Sequence, residues 1–149
     1  MTTPVQPSHD TPDVLRRIHE WLGLPRSRSE HDFIRLVEEG LATKVIDSLR
    51  RRGLTDEEVY TLILPRRTLA HRRARREALS RDESDRAVRV ARIAALADHV
   101  FGEPERAWRW LRDPKKHLQG RSPLQLAATE AGARLVEASL YQIDEGMVA

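Results

Sequence analysis

Residues 54–79 read LTDEEVYTLILPRRTLAHRRARREAL, two short helical patterns divided by one proline. In the first, Thr55 stands where a helix cap belongs and Glu58 follows three residues later, the spacing of a reciprocal capping box. Val59, Leu62 and Ile63 then recur on one side. Pro65 cannot continue that helix, because it lacks an N–H and its ring clashes with the preceding turn. It can open the next one, since its φ is already set. The spacing across LILPR predicts two short helices meeting in a helix–turn–helix. Such turns often contain glycine, but Ile63 or Leu64 stands in this one.

The second pattern, PRRTLAHRRARR at residues 65–76, carries Arg66, Arg67, Arg72, Arg73, Arg75 and Arg76. On a helical wheel of about 100° per residue, Leu69 faces inward toward Leu62 and Ile63. Arg73 and Arg76 skirt its edge. Arg67, Thr68, His71 and Arg75 lie on the far side, with Arg72 flanking them and the small Ala74 between. The segment itself holds no acid, and Glu77 follows at its end. Arginines without acidic partners one turn away do not form a salt-bridged helix surface. A DNA major groove admits an α-helix, and arginine offers two donors to guanine O6 and N7. Further arginines neutralise phosphates and release counterions. The planar fork explains why arginine is used rather than lysine. A solvated basic face is the plainer alternative, since RRR at 50–52 shows the same residue preference elsewhere.

Outside this stretch the signals are again helical, and the fold class expected is all-α. DVLRRIHEWLGLP places Val14, Leu15, Ile18, Trp21 and Leu22 at helical spacing and stops at Gly23. DFIRLVEEG and ATKVIDSLRRRG repeat the pattern and end in glycine. Ser80 and Glu83 form a second capping box before a long apolar helix that Gly102 ends. Pro104 opens a short helix bearing Trp108 and Trp110, which Pro114 closes. These two tryptophans fall on opposite sides, so one is expected in the core and the other as an exposed anchor for a partner. A brief helix follows in SPLQLAAT. Thr129 caps the last helix, whose inner face is marked by Val136, Leu140 and Ile143, with Leu135 beside them. The N-terminal MTTPVQPSHDTP buries little and reads as a disordered arm over residues 1–12. The division expected is arm 1–12, DNA-binding unit 13–79 and partner-binding unit 80–149.

Composition bounds the chemistry. The 149 residues contain no cysteine, so disulfides, zinc fingers and thiol catalysis are out of reach. The histidines at 9, 19, 31, 71, 99 and 117 show no helical metal spacing, and no metal site or cofactor is expected. No nucleophile arrangement or phosphate loop is apparent, so no catalytic residue is assigned and no enzyme is expected. No apolar run reaches the length of a membrane span, and the N-terminus lacks the apolar stretch of a secretory signal. Cytoplasmic residence is the default expectation. The net charge is +3, unevenly placed. Residues 44–92 carry a basic excess, whereas from Ser122 onward Arg134 faces Glu130, Glu137, Asp144 and Glu145. A basic middle and an acidic end suggest two different partners.

The stretches LTDEEVYTLILPRRTLAHRR, ESDRAVRVARIAALADHVFGEPERAWRWLRDP and LQGRSPLQLAATEAGARLVEASLYQIDEGMVA together resemble the Xre/MbcA/ParS antitoxins, over roughly Leu54 to Ala149. The distinctive features are WLRDP, GRSPL, TEAGA and the terminal EGMVA. The resemblance implies an Xre-like helix–turn–helix domain followed by a helical toxin-binding domain. It implies a type II toxin–antitoxin system in which the antitoxin inhibits a RES-domain toxin that consumes NAD or transfers its ADP-ribose. It also implies repression of the antitoxin's own operon through operator DNA. Arg66, Arg67, Thr68, His71, Arg72 and Arg75 match the family's recognition-helix segment. Glu145, Gly146, Met147, Val148 and Ala149 match the terminal segment that approaches the toxin's active-site cleft. A homodimer is expected, since paired half-sites multiply affinity. The apolar helix 81–101 and the tryptophan-bearing helix are the expected sources of its interface. The competing reading is a stand-alone transcription regulator whose C-terminal helices serve only dimerisation.

Overall fold

Local capping signals set where the helices begin. A computed structural model describes residues 11–27 and 29–146, with side chains from residue 13 onward. Helix α1 spans Thr11–Leu22, starting two residues before the expected edge of the arm. Residues 1–10, most of that arm, lie outside the described residues. Helix α2 spans Glu30–Glu39 and is capped by Ser29, whose hydroxyl accepts the Asp32 N–H at 3.2 Å. Helix α3 spans Lys44–Arg51.

The stretch at 54–79 forms α4, Asp56–Leu62, and α5, Arg66–Ala74. The Thr55–Glu58 capping box is formed in both directions, at 3.2 and 2.9 Å. Pro65 sits just before α5 with φ −60°. The arginine helix is shorter than the sequence pattern suggests. Arg75 caps it, and Arg76 takes a left-handed φ of 54°, so Arg76 and Glu77 lie beyond the helix. Nothing apolar follows Leu69 on its inner side until Leu79, so no packing holds another turn.

Helix α6 spans Arg81–Phe101, opened by the Ser80–Glu83 capping box and closed by Gly102 in the left-handed conformation. Helix α7 spans Pro104–Arg112, with its proline in the first turn. A 3-10 turn at Lys116–Leu118 follows, and the loop is pinned by an isolated bridge between Lys115 and Arg121. Helix α8 spans Pro123–Leu126 and α9 spans Glu130–Asp144. Thr129 caps α9 by accepting the Gly132 N–H at 3.0 Å.

Helix α6 runs through the middle of the molecule. It packs against α1, α2, α3, α4, α7 and α9. Its buried positions are largely small: Ala87, Ala91, Ala94, Ala95 and Ala97, with Val90 and Ile93. Small side chains let neighbouring helices approach closely while each still buries its apolar stripe. The inner side of α6 is taken up by the core of the chain, while Val88, Leu96, Val100 and Phe101 of the same helix stay half-buried. Burial comes from the number of neighbours, which a helical wheel does not reveal.

The last helix departs from its sequence reading at Leu135, and Ile143, expected on the inner face, is only half-buried. Val136 and Leu140 are fully buried, but Leu135 is 58% exposed. The inner face runs through Gly132, Ala133, Val136 and Leu140, and Leu135 points away from it. No described helix is long and apolar enough to cross a membrane.

Candidate nucleic-acid interface and partner-binding segment

The turn between α4 and α5 is built without glycine. Ile63 keeps φ −113° and ψ −64°. Its N–H donates to the Val59 carbonyl at 2.9 Å, and the Leu64 N–H reaches the same oxygen at 3.3 Å. Ile63 and Leu64 are each 1% exposed, so the turn is plugged into the core by its side chains. The Ile63 carbonyl, left over where α4 stops, accepts Arg86 Nη1 at 3.0 Å. Apolar packing and one long arginine replace the conformational freedom a glycine would supply.

Helix α5 is anchored by Leu69, its one buried residue. Burying that side chain contributes roughly 1.5–3 kcal/mol. Around it, Arg66, Arg67, Ala70, His71, Ala74 and Arg75 are exposed; at about 100° per residue Arg67 and His71 stand opposite Leu69, and Arg66 and Arg75 lie on different sides of the helix. Among the described residues, no carboxylate pairs with Arg66, Arg67 or Arg75. Thr68, expected outside, is half-buried. Arg72 is turned inward: its guanidinium binds Glu83 through Nε at 3.0 Å and Nη2 at 3.2 Å, and Glu77 through Nη1 at 3.2 Å. Arg73 skirts the edge, as the wheel suggested, and pairs with Asp47 of α3 at 2.7 Å. The structure thus leaves Arg66, Arg67, His71 and Arg75 exposed around α5 and turns Arg72 toward Glu83.

The tryptophans of α7 divide as their spacing implies. Trp108 is the core member, 7% exposed. Its indole N–H donates to the Arg52 carbonyl at 2.8 Å, its ring lies 6.1 Å from that of Trp21, and Arg112 stacks on it at 4.6 Å. Trp108 therefore joins α7 to α1 and the α3–α4 loop, and it has no free face for a partner. Trp110 is half-buried against Phe101 at 5.7 Å, with the Lys115 ammonium 5.3 Å from its ring. It keeps a surface edge. Glu145 caps α9 and Gly146 follows with φ 70°, both exposed. Met147, Val148 and Ala149 lie outside the described residues.

Sequence reasoning missed the ionic ties of α6. Arg89 binds Glu130 at 3.1 Å and the Ala128 carbonyl at 3.2 Å. Arg92 binds Glu130 at 2.7 Å and also reaches Glu137. Glu83, Arg86, Arg89 and Arg92 recur every third residue, a spacing that winds slowly round a helix and was legible as a charged stripe. What it binds was not. Burial pushes the Glu83 and Glu130 carboxyls up, but hydrogen bonds and charge from Arg72, and from Arg92 with Arg89, hold both below the ordinary 4.5. Glu58 behaves alike, with burial opposed by Arg112 and the Thr55 N–H.

Comparison with known proteins gives these elements their context. Residues 32–92 match the Antitoxin Xre-like helix-turn-helix domain. Residues 96–146 match the Antitoxin Xre/MbcA/ParS C-terminal toxin-binding domain. The chain is 38% identical over 130 residues to Antitoxin Xre of Pseudomonas putida, covering 87% of this chain and 82% of that protein. It is 30% identical over 143 residues to Antitoxin Xre of Yersinia enterocolitica, covering 93% and 96%. A Sphingobium protein named Prs ADP-ribosylating antitoxin is 29% identical over 129 residues, covering 79% and 81%. The fold therefore defines an all-helical protein with a helix–turn–helix unit and a toxin-binding unit. The chain belongs to the Xre antitoxin family.

Proposed function

We propose that this antitoxin binds and inhibits a cognate RES-domain, NAD-consuming toxin and represses its own operon by inserting α5 into operator DNA. The observation that carries the DNA half is the exposed basic group of Arg66, Arg67, His71 and Arg75 around α5, whose arginines pair with no carboxylate among the described residues. Exposed arginines without carboxylate partners on the second helix of a helix–turn–helix suit a major groove. Two copies reading paired half-sites are the expected DNA-bound form, and the interface lies outside the buried side of α6. The division into a DNA-binding unit at 13–79 and a toxin-binding unit at 80–149 is functional, with α6 shared physically by both.

The toxin half rests on the matched segment 96–146. Trp110 offers a half-exposed aromatic edge there, and Glu145 and Gly146 stand at its end. No basic residue occupies the last turn of α9, and acidic residues at a helix C-terminus are locally unfavourable. That placement suits a basic partner surface, such as the cleft of an enzyme that binds anionic NAD. The antitoxin needs no catalytic residue, metal or cofactor for this role, and it acts in the cytoplasm, where operator DNA and NAD are found.

The test is co-expression with the product of the neighbouring reading frame, a RES-domain protein on this reading, followed by pull-down and measurement of cellular NAD. The full chain should co-purify with the toxin and restore NAD. Removing residues 145–149 should leave NAD depleted. A truncated chain that neutralises as well as the full one contradicts the terminal-segment assignment.

A further inference from the structure

We propose that Glu83 and Arg86 of α6 are positioning residues for the recognition helix, and that Arg72 belongs to this junction and does not contact the duplex. The inference rests on the reading of α5 as the helix that enters DNA. With Leu69 as its one buried side chain, α5 has a single apolar pivot. A short helix on one pivot can swivel, and its pitch must be fixed from elsewhere.

Two tethers from α6 supply that constraint. At the start of α5, Arg86 Nη1 donates to the Ile63 carbonyl at 3.0 Å and holds the turn. Near its end, Arg72 grips both oxygens of Glu83 in a forked pair, at 3.0 and 3.2 Å. Glu83 is itself fixed. Its Oε1 accepts the Ser80 N–H at 2.8 Å, and its own N–H donates to Ser80 Oγ at 3.1 Å. The capping box that starts α6 is therefore also the anchor for α5. The Glu83 side chain is 10% exposed, so mobile ions screen this pair less than a surface one. Arg73 adds a third tie, to Asp47 of α3.

Positioning matters unequally for the two kinds of DNA contact. Base readout needs side chains held within about 0.5 Å of a productive geometry. Attraction to phosphates tolerates displacement and carries no sequence information. Loss of the tether should therefore lower discrimination between sequences while leaving general attraction to DNA in place.

The experiment uses the full chain and Glu83→Gln, which keeps an acceptor for the Ser80 N–H and removes the charge. Amide hydrogen exchange is measured across residues 66–74 and 81–90. Binding is measured against the duplex immediately upstream of the chain's own reading frame and against a random duplex of equal length, over a range of salt. Exchange in 66–74 should quicken by about tenfold, with 81–90 unchanged. The affinity ratio between the two duplexes should fall about tenfold, the scale of one misplaced bidentate contact. The salt slope on random DNA should hold, or steepen by about one charge as Arg72 is released.

Arg72→Ala should reproduce the fall in ratio with no change of slope. It leaves the capping box intact and replaces Glu83→Gln if that variant melts early. A slope shallower by about one charge in Arg72→Ala, with the ratio intact in Glu83→Gln, would show Arg72 gripping a phosphate and overturn the proposal. Unchanged exchange in 66–74 overturns it whatever happens with DNA. Failure of the unmodified chain to bind either duplex instead overturns the DNA reading, and the exchange measurement still decides the tether.

Discussion

Gly53 and Trp108 meet in a close approach between the two halves of the sequence. Gly53 holds φ 119°, and a Cβ there would overlap the Trp108 indole nitrogen. The neighbouring Arg52 carbonyl accepts that nitrogen's hydrogen, and the Gly53 carbonyl accepts Arg112 Nη2 at 2.7 Å. Gly53→Ala should therefore cost at least about 2 kcal/mol, from strain together with the overlap. That corresponds to a fall in Tm of about 4–8 °C for a chain of this size. Gly102→Ala is the control: its φ is 74°, but a Cβ there meets nothing within 4 Å. Thermal melts of both variants check the point, and equal losses would remove Trp108 from the explanation. The sequence shows Gly53 as a helix stop and Trp108 as one of two candidates for the core. It does not show that they touch, because a wheel relates residues within one helix and these stand in different elements. The same limit explains Arg72. Its position flanking the cationic face is legible, but the carboxylate that draws it inward is set by the packing of α6.

Capping boxes at Thr55–Glu58 and Ser80–Glu83 were readable because their partners lie three residues apart. The central place of α6 was not, since it depends on which helices surround it. The ion pairs that join the helices have a consequence in acid. Glu58, Glu83 and Glu130 are held below their ordinary value in the folded chain, so the unfolded chain binds protons more readily. Their stabilising contribution is fully present above the unfolded value near 4.5 and is lost as pH falls through the lower folded values. Melting temperature should hold down to about pH 5 and then drop steadily, and Glu130→Gln should start lower and drop less. Thermal melts across pH 3–7 check this, and an equal acid slope in the variant would mean that Glu130 does not contribute.

At the scale of the whole molecule, charge is sorted by pairing as much as by position. The sequence reads as a basic middle and an acidic end. In the fold, much of the middle is spent internally: Arg72 on Glu83, Arg73 on Asp47, and Arg89 and Arg92 on Glu130. What the pairing leaves exposed along α5 and its cap is Arg66, Arg67, His71 and Arg75. The acids at 130 and 137 are likewise engaged with α6. The central claim is a division of labour, with the α5 face serving DNA and the segment beyond α6 serving the toxin. The most direct test is the double variant Arg67→Ala with Arg75→Ala, measured in parallel for binding to the upstream duplex and for neutralisation of the co-expressed toxin. Operator binding should weaken and its salt slope should become shallower by about two charges, while neutralisation stays at the level of the unmodified chain. Loss of both activities in a variant that melts normally would contradict the division.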